Sequence, residues 1–240
     1  MSESASGEAN DDSSGERKEL SAKYHVLDLF AGLGGFSQAF AESERWGVTT
    51  VDIDPEHNPD RVADVFDLHP SDFDTEFDVI LASPPCTRIG KMALCNGYFD
   101  GDTPDHPEAK DHVALAYHTL GLIQGLAPEY WFIENPPGKL RNYFGDPTGT
   151  VTYCQYGTEY QKRTHLWGKH PLMEYQSCVE SDGCHISTPR SDTRHPSDSL
   201  PSNSSEAAKV PNELSESIRD ACEAALDGIT PVQTTADAWV

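Results

Sequence analysis

The stretch "YHVLDLFAGLGGF" (24–36) decides the fold. Tyr24 to Phe30 form a short apolar run with β-branched content. Glycines at 32, 34 and 35 follow, and "FSQAFAES" (36–43) then reads as the start of a helix. A strand that passes through glycines into a helix brings bare backbone and free helix N–H groups to one point. The same grammar recurs downstream. "GVTTVDID" (47–54), "EFDVILASPP" (76–85) and "EYWFIENPPG" (129–138) read as strands. "HPEAKDHVALAYHTLGLIQGLAP" (106–128) reads as a long helix, with Val113, Ala116, Leu120 and Ile123 on one face and Pro107 and Pro128 bracketing it. "GTVTYCQYG" (149–157) and "RTHLWG" (163–168) read as two further strands, paired as a hairpin. Strands alternating with helices predict an α/β, Rossmann-like fold: a mostly parallel sheet with helices on both faces. In such sheets ligands bind beyond the carboxyl ends of the strands.

Outside that body the composition changes. Residues 1–22 are rich in Ser, Gly, Asp and Glu and read as a disordered acidic tail. Residues 23–170 form the expected ordered body, 171–208 a short polar loop region, 209–228 a C-terminal piece, and 229–240 a tail. The net charge is −23, from 40 acidic and 17 basic side chains. Such a balance marks either a protein that avoids polyanions or one adapted to very high salt. The high-salt reading is preferred, because lysine is scarce and acids run through the ordered segments. Screening at molar salt reaches only about 3 Å, so long-range repulsion of nucleic acid would be weak there. Six irregularly spaced cysteines, no signal peptide and no membrane-length apolar run point to a cytoplasmic protein with free thiols.

The chemistry-bearing residues sit at the expected strand ends. The glycine loop lacks the full dinucleotide-binding spacing and the lysine of a phosphate loop. Asp52 ends the second strand, where an acid can hold both hydroxyls of a ribose, and Asp64 in "VADVF" is a similar acid. In "SPPC" (83–86) two prolines stiffen the mount of Cys86, whose thiolate would be a strong nucleophile. In "ENPPG" (134–138) Glu134 follows an apolar run, so a desolvated carboxyl able to hold a proton near neutrality is expected. "CVESDGCH" (178–185) fits no standard zinc spacing and reads as a loop with two unpaired thiols. The alternative is zinc on Cys178, Cys184 and His185 with His170 or His195; no metal is assigned.

Together, "DLFAGLGGF", "VDID", "ADVF", "SPPC", "IENPPG", "QKRTHLWG" (161–168) and "VPNELSESI" (210–218) resemble, in order, the motifs of the cytosine carbon-5 DNA methyltransferases. The resemblance covers roughly residues 24–226. It implies a class I S-adenosylmethionine-dependent methyltransferase acting on a cytosine flipped from double-stranded DNA, with 23–170 as its catalytic domain, 171–208 as a short target-recognition region and 209–228 as a helix packing back on the catalytic domain. Implied catalytic residues are Cys86, Glu134 and Arg163. Implied cofactor contacts are Asp28, Phe30, Gly32, Gly34, Gly35, Asp52, Ile53, Asp64, Val65 and Pro84. Pro85, Thr87, Asn135, Gln161 and His165 would meet the substrate. Thr87 stands where the family usually has Gln, Pro136 where it has Val, and His165 where it has a second Arg. No membrane or obligate protein partner is expected. An RNA cytosine-5 methyltransferase and a catalytically impaired DNA-binding remnant are the alternatives. The basic residues Arg88, Lys91, Lys139, Arg141, Lys162, Arg163 and Lys169 lie in or beside the site loops and are the expected phosphate contacts.

Overall fold

A computed structural model describes residues 22–90, 97–179, 183–185, 206 and 208–229. Residues 1–21 and 230–240 of the expected tails and most of the second half of the 171–208 region, including His195, lie outside the described residues, as does Lys91.

The central sheet begins with β1 (Tyr24–Leu29), β2 (Trp46–Asp52), the two-residue β3 (Arg61–Val62) and β4 (Val79–Ala82). A small hairpin of β5 (Phe99–Asp100) and β6 (Thr103–Pro104) stands apart. The sheet is completed by β7 (Tyr130–Asn135), β8 (Gly149–Thr152) and β9 (Arg163–Lys169), in the order β3-β2-β1-β4-β7-β9-β8. The first five strands in that order run parallel, and β9 runs antiparallel to both β7 and β8. The chain therefore reverses its direction of strand addition between β1 and β4, the crevice where open α/β sheets take ligands.

Among the described residues, the sheet is flanked by α1 (Gln38–Ala41), α2 (Pro107–Leu126), α3 (Leu140–Phe144) and α4 (Asn212–Leu226). α2 buries Val113, Ala116, Leu122 and Ile123 against Leu27, Leu29, Ile80 and Ile133 on one face of the sheet. Thr119 is buried beside them and Leu120 is only half-buried, so the apolar stripe is rotated slightly from the expected one. α4 covers the opposite face, packing Leu214, Ile218 and Cys222 with Phe36, Phe40 and Trp46. Its charged end is tied down where Arg45 meets Glu223 and Asp227, each at 2.7 Å, and Trp46 Nε1 donates to Glu223 at 2.7 Å. Helices on both faces of a mostly parallel sheet are thus what the periodicity predicts.

Two local expectations are corrected. The "FSQAFAES" helix is only one turn long, because Ser37 spends its hydroxyl on Asp28 (2.6 Å) instead of capping the helix. The strand expected through "TYCQYG" stops at Thr152. Tyr153–Tyr156 form a tight 3-10 turn closed by Gly157 at φ +85°. That turn carries Tyr153 and Cys154 inward. No helix among the described residues is long and apolar enough to cross a membrane.

Candidate active site

Sheet register aligns the functional strand ends. Leu29 faces Val51 on one side and Ala82 on the other, and Ala82 faces Ile133. One residue further on, Phe30, Asp52, Ser83 and Glu134 lie level along the carboxyl edge. Four segments far apart in sequence thereby build one site.

On the β1–β2 side the backbone is shaped for a ligand. Phe30 adopts φ +63°, an outlier for so bulky a residue and a conformation stored mostly at functional sites. Gly32 and Gly34 also have positive φ, at +52° and +70°. A Cβ on Gly34 would meet nothing within 4 Å, and one on Gly32 only the Phe30 carbonyl at 4.0 Å. Gly35 differs: its Cβ would strike Lys209 and Val210 at 2.5 and 2.6 Å, so the segment entering α4 closes over the loop there. Asp52 accepts from the Gly32 and Asp54 amides, both at 2.8 Å, and stiffens this cradle, with His57 Nδ1 3.3 Å from its Oδ1. Ile53 beside it is 65% exposed, an apolar side chain left bare at the site's rim. Asp64 caps its turn through the Phe66 amide (3.0 Å), and Val65 is buried beneath it.

Asp28 lies under the glycine loop, fully buried, with Ser37 on Oδ2 and no partner for Oδ1. Burial pushes its carboxyl up to about 7. Because the folded value lies above the ordinary 3.8, the protonated form is favoured in the fold. Its stabilising contribution is complete below about pH 4 and is lost as pH rises through 7. Denaturant titrations should therefore show the stability of Asp28→Asn gaining on the wild type between those values, by up to about 4 kcal/mol. A difference that is flat with pH would refute the assignment.

The β4–β7 side holds the thiol. Asn135 is buried and donates to the Pro84 carbonyl at 2.7 Å. Gly90 bridges Gly138, and the Lys139 amide donates to the Ile89 carbonyl at 2.7 Å. A Cβ on Gly138 would fall 2.3 Å from the Ile89 oxygen, so only glycine permits this contact. The two double-proline loops are thus locked to each other. Pro84 is buried, Pro85 and Thr87 are exposed, and Cys86 is half-buried between them. The Thr87 hydroxyl sits 3.1 Å from His112 Nε2. Burial, then the neighbouring Glu134, raises the Cys86 thiol above its ordinary value, while Lys162 pulls it down.

Glu134 is buried, as its sequence context predicts, but it is well supplied with donors. Thr164 Oγ1 and Tyr153 Oη (3.1 Å) both donate to Oε1, and Lys162 Nζ lies 3.8 Å from the same atom. Lys162 also donates to the Tyr153 hydroxyl at 3.3 Å. These three contacts to Glu134 escaped the sequence reading, which gave Arg163 a catalytic role and Lys162 a phosphate contact. β-strand alternation decides the matter. Thr164 points to Glu134, so Arg163 and His165 share the other face. His165 there lies against Thr150 Oγ1 (2.9 Å) and Trp167, and burial followed by Arg141 and Arg163 lowers its pKa. Gln161 is drawn elsewhere again, donating to Cys178 Sγ at 3.1 Å.

The expected phosphate-binding cations are largely engaged. Arg88 pairs with Glu108, Lys139 with Asp102, Arg141 with Asp146 and Lys169 with Glu129. Among the described members of that group, exposed Arg163 is the one with no acidic side chain within ion-pair distance.

Residues 24–152 match the family model of the C-5 cytosine-specific DNA methylases. The probable DNA (cytosine-5)-methyltransferase of Frog virus 3 (isolate Goorha) is 32% identical over 169 residues, covering 66% of this chain and 77% of the relative. Among solved structures, a putative DNA modification methyltransferase encoded within an E. coli prophage shares 21% identity, with a TM-score of 0.46 over 60% of this chain and 46% of the other. The Entamoeba histolytica methyltransferase EhMeth shares 15%, with a TM-score of 0.43 over 66% of this chain and 58% of the other. The chain thus spans about half the length of these two solved proteins.

Proposed function

The chain belongs to the C-5 cytosine-specific DNA methylases, enzymes that use S-adenosylmethionine, and on that premise we propose that it methylates a cytosine flipped from duplex DNA through a covalent adduct with Cys86. The observation carrying this reading is the pairing of Cys86 with Glu134 on two mutually locked loops at neighbouring strand ends.

Cytosine carbon 5 is a poor nucleophile. Addition of the Cys86 sulfur at carbon 6 turns the ring into an enamine, and carbon 5 can then form a bond to a methyl group. Charge builds at nitrogen 3 during the addition, and Glu134 supplies a proton or a strong hydrogen bond there. Loss of the proton from carbon 5 expels the Cys86 thiolate and restores the aromatic ring. Asn135 positions the thiol through Pro84. Arg163, exposed and without an acidic partner, holds the flipped nucleotide or its phosphate, with Pro85 and Thr87 beside the base. Flipping costs roughly a few kcal/mol, which backbone contacts offset.

The methyl donor supplies an activated methyl group on a sulfonium when it is bound. The open cradle at Gly32 and Gly34, the bare Ile53 and the partnerless Asp28 oxygen fit such a group. Phe30 stacks on the adenine, Asp52 takes the ribose hydroxyls, and Asp64 faces the adenine amine beside Val65. Phe30→Ala is expected to raise the Kd for S-adenosylmethionine about 5- to 100-fold, the usual worth of one aromatic–base stack, as read by calorimetry. An unchanged Kd would remove Phe30 from the site.

The function is tested with labelled S-adenosylmethionine and either mixed-sequence duplex DNA or tRNA, in a series from low to molar salt. Label recovered as 5-methylcytosine in DNA is the expected result. Label in tRNA alone would move the substrate to RNA. Activity that rises toward molar salt would support adaptation of the acidic surface to high salt.

A further inference from the structure

Four side chains remote from the strand-end pocket converge on one point. Cys154, Cys178, Cys184 and His185 bring their ligand atoms within 4.8 Å of one another. We infer that this cluster is a structural zinc site with a three-cysteine, one-histidine shell. The sequence spacing matches no standard zinc pattern, and the local run supplies only three ligands. The fourth is not His170, which stacks on Phe132 at 4.1 Å and meets Tyr175 through Nδ1 at 2.7 Å. It is Cys154, carried in by the 3-10 turn that replaces the expected strand.

The spacings suit a tetrahedron. Zinc–sulfur bonds of about 2.3 Å and zinc–nitrogen bonds of about 2.0 Å give edges of about 3.8 Å between sulfurs and about 3.5 Å between sulfur and nitrogen. Cys154 and Cys184 are 3.6 Å apart, and His185 Nδ1 lies 3.7 Å from Cys178 and 3.5 Å from Cys184. Cys154 and Cys178, at 3.1 Å, must open slightly to admit the ion. All three cysteines are free thiols, and a disulfide between two of them would leave the third sulfur and the imidazole without a role.

A second set of contacts points to the same occupant. Gln155 Nε2 donates to Cys184 Sγ and Gln161 Nε2 to Cys178 Sγ, both at 3.1 Å. Three thiolates around one dication leave a net negative charge, and amide donors aimed at the sulfurs are the outer shell that such charge needs. Binding would displace the thiol protons to solvent.

The site would join the segment after β9 to the sheet. Residues 176–178 already run beside β8, with the Thr152 amide on the Gln176 carbonyl (3.0 Å) and the Cys178 amide on Thr152 Oγ1 (3.3 Å). The metal would fix the turn that directs Tyr153 onto Glu134. It would also anchor the start of the segment that the sequence assigns to target recognition.

The test uses the full chain, purified reduced and without metal-affinity steps, with zinc content measured by plasma mass spectrometry and cobalt(II) as a spectroscopic substitute. About one zinc per chain is expected, with thiolate-to-cobalt charge transfer and the intense visible bands of a tetrahedral ion. Cys184→Ser, a change at an exposed ligand, should weaken zinc affinity by more than about 100-fold, the upper end for losing only an outer-shell partner. Cys86→Ser should keep the full metal content. The proposal is overturned if the folded, reduced chain takes up no zinc, if Cys184→Ser leaves the cobalt spectrum unchanged, or if alkylation mapping finds Cys154 and Cys178 disulfide-bonded. Methyl transfer surviving any of these outcomes would leave the function of the strand-end pocket intact.

Discussion

Cys86→Ala should lower single-turnover methyl transfer by roughly 10⁴-fold or more, as loss of a covalent nucleophile does elsewhere, while S-adenosylmethionine still binds. The expectation rests on position. Cys86 follows a buried and an exposed proline on a loop that Asn135 and the Gly90–Gly138 bridge hold in place. No other described cysteine lies on that carboxyl edge: Cys154, Cys178 and Cys184 belong to the cluster after β8 and β9, and Cys222 is on the buried face of α4. Duplex DNA carrying 5-fluorocytosine makes the test direct, because the fluorine at carbon 5 cannot leave as a proton does. The wild type should therefore remain covalently attached and shift on a denaturing gel, and the alanine variant should not. A variant retaining a tenth of the wild-type rate, or still forming the adduct, would exclude Cys86 as the nucleophile. The burial that raises the thiol adds a pH signature. Below the thiol's raised value the nucleophile carries its proton, so the wild-type rate should climb with pH until a different step limits it.

The parallel half of this site was legible in the sequence, and the reason is local. Each of β1, β2, β4 and β7 is an apolar run that ends on residues with little use inside a strand: glycines, an aspartate pair, double prolines. Those ends announce themselves without knowledge of strand order. The antiparallel half was not legible. β9 inserts between β7 and β8, and its register decides which of residues 162–165 reach Glu134. A one-residue slip exchanges the two faces. The motif marked Arg163 as the residue of interest, whereas Lys162 and Thr164 are the ones that reach Glu134. Period-two alternation did separate those two pairs in advance, but nothing in the chain said which pair faced inward. Tyr153 and Cys154 were hidden for another reason. "GTVTYCQYG" has the β-branched and aromatic residues of a strand throughout, and tertiary packing overrides that preference after Thr152. Asn135 illustrates a third kind of miss: a polar residue beside Glu134 holds the opposite loop.

Glu134→Gln is expected to cut the transfer rate about 10²- to 10⁴-fold, the range for a general acid or base, with little change in stability. The amide oxygen can still accept from Thr164 and Tyr153, so the packing around it survives. What the substitution removes is the ability to carry a proton at nitrogen 3. It also removes a negative charge that raises the Cys86 thiol, leaving the opposing pull of Lys162 uncompensated. The same variant should therefore alkylate faster at Cys86 with iodoacetamide near neutral pH, as followed by mass spectrometry of the Cys86 peptide. Activity and thiol reactivity should move in opposite directions. A merely damaged pocket would lower both or expose every thiol alike. A slower, less reactive Cys86 in Glu134→Gln would mean that Glu134 acts by holding the loop, not by serving the base. Lys162→Met supplies the converse: its loss should slow alkylation of Cys86 by removing the charge that favours the thiolate.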